Sequence, residues 1–91
     1  MPWTVSLKPR AQRQLAKLDR PVQKRLLDFM DRLTGRDDPR ELGRMLQGHH
    51  QLCKFRVGDY RIIAQIQDET LLVVVVKLGH RREVYREFDR L

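Results

Sequence analysis

Two alternating runs separated by a Gly-Asp pair constrain this chain more than any other feature. Val57-Gly58-Asp59-Tyr60 stands between Leu52–Arg56 and Arg61–Gln67, and a two-residue loop of this kind closes a β-hairpin and sets its register. Val57 then faces Tyr60, Arg56 faces Arg61, and Lys54 faces Ile63. Side chains alternate along a strand, so Lys54, Arg56 and Arg61 emerge on one face, with Cys53, Phe55 and Val57 on the other. Like charges placed opposite one another destabilise a sheet. Three cations gathered in this way point to an anion among them, and phosphate is the anion that suits so basic a chain. The competing reading is a solvated sheet face whose charges bind nothing.

The basicity is a property of the whole chain and is concentrated locally. Its 91 residues carry a net charge of +7, with 41% apolar and 34% charged residues. That length supports one modest core, so a single domain over residues 1–91 is expected. Between Leu42 and Gln67 the one acid is Asp59, set against Arg44, Lys54, Arg56 and Arg61, with His49 and His50 nearby. An excess of this kind calls for nucleic acid, an acidic membrane surface or an acidic protein as partner. Cys53 is the only cysteine, so no intrachain disulfide forms, and it reads as a small buried apolar residue. The start Met1-Pro2-Trp3-Thr4 lacks the pattern of a secretory signal, and the apolar run Leu71–Val76 has strand length only. A cytoplasmic protein with no membrane association is expected.

Periodicity supplies the remaining elements. Trp3, Val5 and Leu7 alternate as an edge or half-buried strand. Pro9 suits a first helical turn, and Ala11, Leu15 and Leu18 recur at helical spacing to about Leu18. Pro21 opens a second helix with an apolar stripe of Val22, Leu26, Phe29, Met30 and Leu33, ending at Thr34-Gly35. The two helices are expected to form an antiparallel hairpin. A loop at Asp37–Arg40 leads to a helical turn at Glu41–Arg44. A turn at Asp68-Glu69 connects to Leu71–Leu78, apolar on both faces and expected as the central strand. Arg81–Leu91 forms a final helix anchored by Val84 and Phe88. The order is β-α-α-β-β-β-α: an α+β fold with a helical hairpin packed on a twisted, mostly antiparallel sheet.

With a two-residue second turn, Gln67 faces Thr70 and Arg61 faces Val76. The strand ending at Leu78 then brings Gly79-His80-Arg81 to the end of the sheet that holds Arg56 and Arg61, unless a bulge intervenes. Arg81 and Arg82, with Tyr85 one helical turn beyond Arg81, would border the cationic face. Guanidinium groups grip phosphates bidentately and a tyrosine ring stacks on an unpaired base, a combination suited to RNA. His49, His50 and His80 lack carboxylate or cysteine partners at ligand spacing, so no metal or cofactor is expected. Tyr60 falls on the core side. Tyr85 has two readings, as a site residue or as a packing residue of the last helix, and Arg82 and Arg86 also read as ordinary exposed helix cations.

The run Leu52-Cys53-Lys54-Phe55-Arg56-Val57-Gly58-Asp59-Tyr60-Arg61, followed by a buried strand and Gly79-His80-Arg81-Arg82-Glu83-Val84-Tyr85, resembles the RelE toxins of bacterial type II toxin–antitoxin systems. The resemblance extends over essentially the whole chain. It implies a ribosome-dependent endoribonuclease that enters the ribosomal A site and cuts mRNA without a metal. It also implies a RelB-like antitoxin that wraps the toxin in a hetero-oligomer. In such toxins the 2′-hydroxyl attacks the adjacent phosphate, leaving a 2′,3′-cyclic phosphate and a free 5′-hydroxyl. By resemblance, Lys54 and Arg56 match the basic pair on the strand, Arg61 the phosphate-holding arginine, Arg81 the later arginine and Tyr85 the C-terminal tyrosine. His80, Arg82 and Arg44 are expected to contact substrate. Arg56 stands where the best-known member has lysine, and an arginine is a poor proton acceptor. Lys54 and His80 both remain candidates for the base. The rival readings are a ParE-like, non-enzymatic inhibitor of DNA gyrase and a non-catalytic RNA-binding module.

Overall fold

A computed structural model describes residues 2–48 and 51–82. Strand β1 (Thr4–Leu7) is followed by helices α1 (Pro9–Ala16) and α2 (Arg20–Thr34), then a 3₁₀ turn (Pro39–Leu42). Strands β2 (Gly43–Met45), β3 (Leu52–Val57), β4 (Tyr60–Gln67) and β5 (Leu72–His80) complete the described elements. They form one five-stranded sheet in the order β1-β5-β4-β3-β2. β1 runs parallel to β5 and the other three junctions are antiparallel. The α+β class is as expected, and two details differ. β4 is the middle strand, with β5 beside it. Residues Gly43–Met45, read from sequence partly as a helical turn, form an edge strand. The proposed final helix, including Val84, Tyr85 and Phe88, lies outside the described residues, as do His49 and His50.

Proline and apolar spacing account for the helices. Pro9 stands in the first turn of α1 and Pro21 in that of α2, where a missing N–H leaves no bond unmade. α1 ends at Ala16, two residues short of the expected Leu18. The Lys17 N–H turns back to the Gln14 carbonyl and the Leu18 N–H to the Leu15 carbonyl, and Asp19, at the N-cap position of α2, is already extended. Gln23 of α2 donates its side-chain amide to the Leu15 carbonyl at 2.9 Å, which satisfies the end of α1. α2 stops at Thr34, but Gly35 stays right-handed at φ −92°. The stop is a tightened last turn and does not use glycine's left-handed freedom.

The helices cover one face of the sheet. Ala11, Leu26, Phe29, Met30 and Leu33 pack on Cys53, Phe55 and Val57 of β3, Ile62, Ala64 and Ile66 of β4, and Val73, Val75 and Leu78 of β5. The Phe29 and Phe55 rings meet tilted, 5.6 Å apart. Trp3 is buried and its indole N–H donates to the Asp37 carbonyl at 3.0 Å, tying the start of the chain to the loop after α2. Every second β4 residue enters this core, so Arg61, Ile63, Gln65 and Gln67 fall on the opposite face.

Candidate functional site

The β3–β4 hairpin has the register that its two-residue loop dictates: Val57 opposite Tyr60, Arg56 opposite Arg61, Lys54 opposite Ile63. Gly58 adopts φ +60° while Asp59 stays at negative φ, the pattern of a type II′ turn with glycine at its left-handed position. Arg61 braces this turn. Its Nη1 donates to the Gly58 and Tyr60 carbonyls, each at 2.9 Å, and the residue is 7% exposed. An arginine so buried and bonded is held in one orientation.

β2 extends the cationic face sideways. Arg44 pairs with Lys54 and shares its face. The approach depends on Gly43, where a β-carbon would lie 2.5 Å from the Lys54 carbonyl oxygen and 2.7 Å from the Phe55 ring. Between these strands lies a cleft of about 420 Å³ lined by Glu41, Leu42, Gly43, Arg44, Lys54, Arg56 and Arg61. Four cations thus surround one space large enough for a phosphate and its sugar. Glu41 is the carboxylate on its wall. The sequence reading did not single out Glu41, which belongs to the 3₁₀ turn and is exposed.

The β4–β5 hairpin departs from expectation. Gln67 faces Leu72 and Arg61 faces Gly79, in place of Thr70 and Val76. The turn spans Asp68–Leu71 with Leu71 at φ +51°, and the register shifts again between Ile63 and Ala64, where Val76 is the extra residue on β5. β5 therefore reaches the far end of the sheet, and the Arg81 N–H donates to the Asp59 carbonyl at 2.9 Å. Arg81 and Arg61 thus reach the same end of the sheet by a different register. The bulge also turns Lys77 to the cationic face, opposite Ile63 and in one row with Lys54 and Arg44. Lys77 is 5% exposed. The sequence reading missed it, although a single lysine inside an apolar strand was the available signal.

The remaining candidates separate. His80 pairs with Tyr60, and the two rings meet edge to face at 5.8 Å. Tyr60 packs on the helix-side core, as expected, so His80 sits on that side and not among the residues that line the cleft. His80 Nδ1 accepts the Arg82 backbone N–H at 3.3 Å, which leaves the ring proton of a neutral imidazole on Nε2. The Arg82 side chain is exposed and likewise does not line the cleft. Tyr85 lies outside the described residues. Cys53 is fully buried, and loss of hydration raises its thiol pKa to about 11. Such a thiol is no nucleophile near neutral pH. Among the described residues no group of three or more histidine, cysteine or acidic side chains is arranged to hold a metal. None of the described helices is long and apolar enough to cross a membrane.

This fold has counterparts among known proteins. The family model for the ParE toxin of the type II toxin–antitoxin system parDE matches residues 5–85. Toxin RelG of Mycobacterium tuberculosis is 33% identical over 89 residues, covering 94% of this chain and 99% of RelG. The chain belongs to the RelE/ParE superfamily of type II toxins and is of RelE type. Among solved structures, the RelBE2 toxin–antitoxin complex of M. tuberculosis contains a chain that is 28% identical with a TM-score of 0.76, covering 89% of this chain and 100% of that one. A free E. coli RelE carrying two arginine-to-alanine changes superposes with a TM-score of 0.79 at 26% identity, covering 100% and 99% of the two chains.

Proposed function

We propose that this RelE-type toxin is a ribosome-dependent endoribonuclease that cleaves mRNA in the A site. The observation that carries this reading is the cleft in which Arg44, Lys54, Arg56 and Arg61 meet. In the proposed reaction the ribose 2′-hydroxyl loses its proton to a base and attacks the adjacent phosphorus. The P–O5′ bond breaks, leaving a 2′,3′-cyclic phosphate and a 5′-hydroxyl. Charge grows on the non-bridging oxygens as the P–O2′ bond forms. Arg61, pinned by the turn, and Arg56 across from it stabilise that charge without reorganising. Lys54 is the base in this scheme, because it lines the cleft whereas His80 does not. Arg81 donates a hydrogen bond to the leaving O5′, which takes up a proton from water to become the 5′-hydroxyl, and Tyr85 stacks on the substrate base. Arg82 lends positive charge to the approaching RNA. No cofactor enters the reaction.

A RelB-like antitoxin is the proposed regulatory partner, since the similar solved chains include toxins bound to their antitoxins. The match to a ParE family model favours a second reading, inhibition of DNA gyrase. Primer extension on an in vitro translation reaction, run beside a gyrase supercoiling assay, separates the two. Cuts in A-site codons that disappear with Arg61→Ala support the nuclease. Loss of supercoiling without cuts supports the gyrase reading.

A further inference from the structure

The cationic face of the sheet carries a second cleft, of about 400 Å³ and lined by Gln51, Gln67, Asp68, Glu69 and Thr70. Its chemistry differs from that of the first. No cation lines it, so it offers nothing to a phosphate. Asp68 is already bound by Arg40, through Nη1 at 3.0 Å and Nη2 at 2.6 Å. Glu69 is exposed. The amides form a directed hydrogen-bond chain: Thr70 Oγ1 donates to Gln67, Gln67 to Gln65, and Gln65 to Gln51, at 3.1, 3.3 and 2.7 Å. Each amide oxygen along the chain accepts from its neighbour, and the Gln51 NH₂ stands at the end as a donor. Side chains already ordered lose little entropy when a ligand arrives.

We propose that this cleft is a base-reading subsite for RNA, selecting an unpaired base whose edge presents N–H donors, with guanine as the match. This rests on the nuclease reading above. Guanine offers N1–H and N2–H to the Glu69 carboxylate and its O6 to the Gln51 amide. Gln65 and Gln67 lie on the face of Arg61, about 13 and 20 Å farther along β4 at ~3.3 Å per residue. A strand gripped by its phosphate in the first cleft therefore reaches the second a few nucleotides from the scissile bond. One cleft holds the backbone, and the other reads sequence.

The test uses the full chain and fluorescent 2′-O-methyl pentanucleotides, which bind but lack the attacking hydroxyl. Each oligomer is all uridine except for a guanine, or an inosine, placed at each position in turn. Anisotropy titration is expected to show one position at which guanine binds about tenfold tighter than uridine. Inosine, lacking the N2 amino group, and the variants Glu69→Gln and Gln51→Ala should reduce that preference while leaving all-uridine binding within about twofold. Equal affinity at every position, or no measurable binding, overturns the proposal. So does a Glu69→Gln variant that binds all oligomers uniformly tighter, which would mean that Glu69 only repels phosphate. Base-selective binding by a protein that makes no cuts during translation would keep the subsite and remove the nuclease. Cuts without base selectivity would do the reverse.

Discussion

The β3–β4 hairpin closes through Gly58 at φ +60°, whereas the β4–β5 hairpin closes through Leu71 at φ +51°. Glycine adopts that conformation freely, while for leucine it carries a steric penalty of ~1–2 kcal/mol. The first loop transmits its register without a break, and the second is followed by a bulge at Val76. The chemistry divides in the same way. Cations collect beside the glycine turn, and amides and acids beside the leucine turn. The two hairpins share β4, so one strand presents a cationic cleft at one end and a hydrogen-bonding cleft at the other. A strained turn is tolerated where it sets only a strand's length and offset. The turn that orients Arg61 is unstrained, because the guanidinium takes its position from that turn's carbonyls.

The sharpest way to break this contrast is to remove the arginine braced by the first turn. Arg61→Ala should lower mRNA cleavage by about 10²–10³-fold, read by primer extension, because one preorganised contact to developing charge is lost. Arg61→Lys keeps the charge and loses the bidentate fork, so an intermediate rate is expected; equal activity of Lys54→Ala and wild type would remove Lys54 as base. Next in size is the backbone approach that closes the cleft. Gly43→Ala should destabilise the fold by ~1–3 kcal/mol in urea titrations, since the added carbon meets the Lys54 carbonyl.

The turns themselves can then be exchanged in character. Gly58→Ala should lose about 1 kcal/mol. Leu71→Gly should gain about 0.5 kcal/mol, the relieved strain being offset in part by glycine's greater unfolded freedom. Opposite signs for the two substitutions, measured by chemical denaturation, sustain the comparison, and matching signs refute it. The smallest effect concerns the ion pair at the second turn. Hydrogen bonding to Arg40 lowers the Asp68 pKa below its usual value. Its contribution is therefore present above the ordinary carboxylate range and is lost as pH falls through the depressed folded value. Asp68→Asn should flatten the acid limb of a Tm-against-pH curve, and added salt should shrink the difference, because the pair is exposed.

Much of this could be read from residues alone, and the reason differs by element. Lys54, Arg56 and Arg61 were legible as one face because a Gly-Asp loop admits one register. The stripe Leu26, Phe29, Met30 and Leu33 was legible because burial repeats with the helical period. Arg44 was expected in a helical turn and lies in an edge strand: three residues are too few for alternation to signal a strand, and the close approach that Gly43 permits has no local signature. The arrival of Arg81 at the end of the sheet that holds Arg56 and Arg61 was anticipated through a register that proved wrong by three residues. Two of those come from the longer turn and one from the bulge. His80 was grouped with the cations because chain proximity alone does not assign a face.

Local chemistry in the chain determined the type II′ hairpin, the two proline-started helices and the gathering of positive charge on one side of a sheet. These depend on interactions between residues a few positions apart, where sterics and period leave few alternatives. Tertiary structure decided which strand lies at the centre, that Lys77 turns toward the cationic row, that Glu41 walls the cleft, and that a second cleft of amides opens at the other end of β4. Those outcomes depend on a four-residue turn, one bulged valine and an edge strand docked through a glycine. Each is stabilised by contacts made across the sheet, and apart from the one lysine in the apolar run of β5 the order of the residues carries little trace of them.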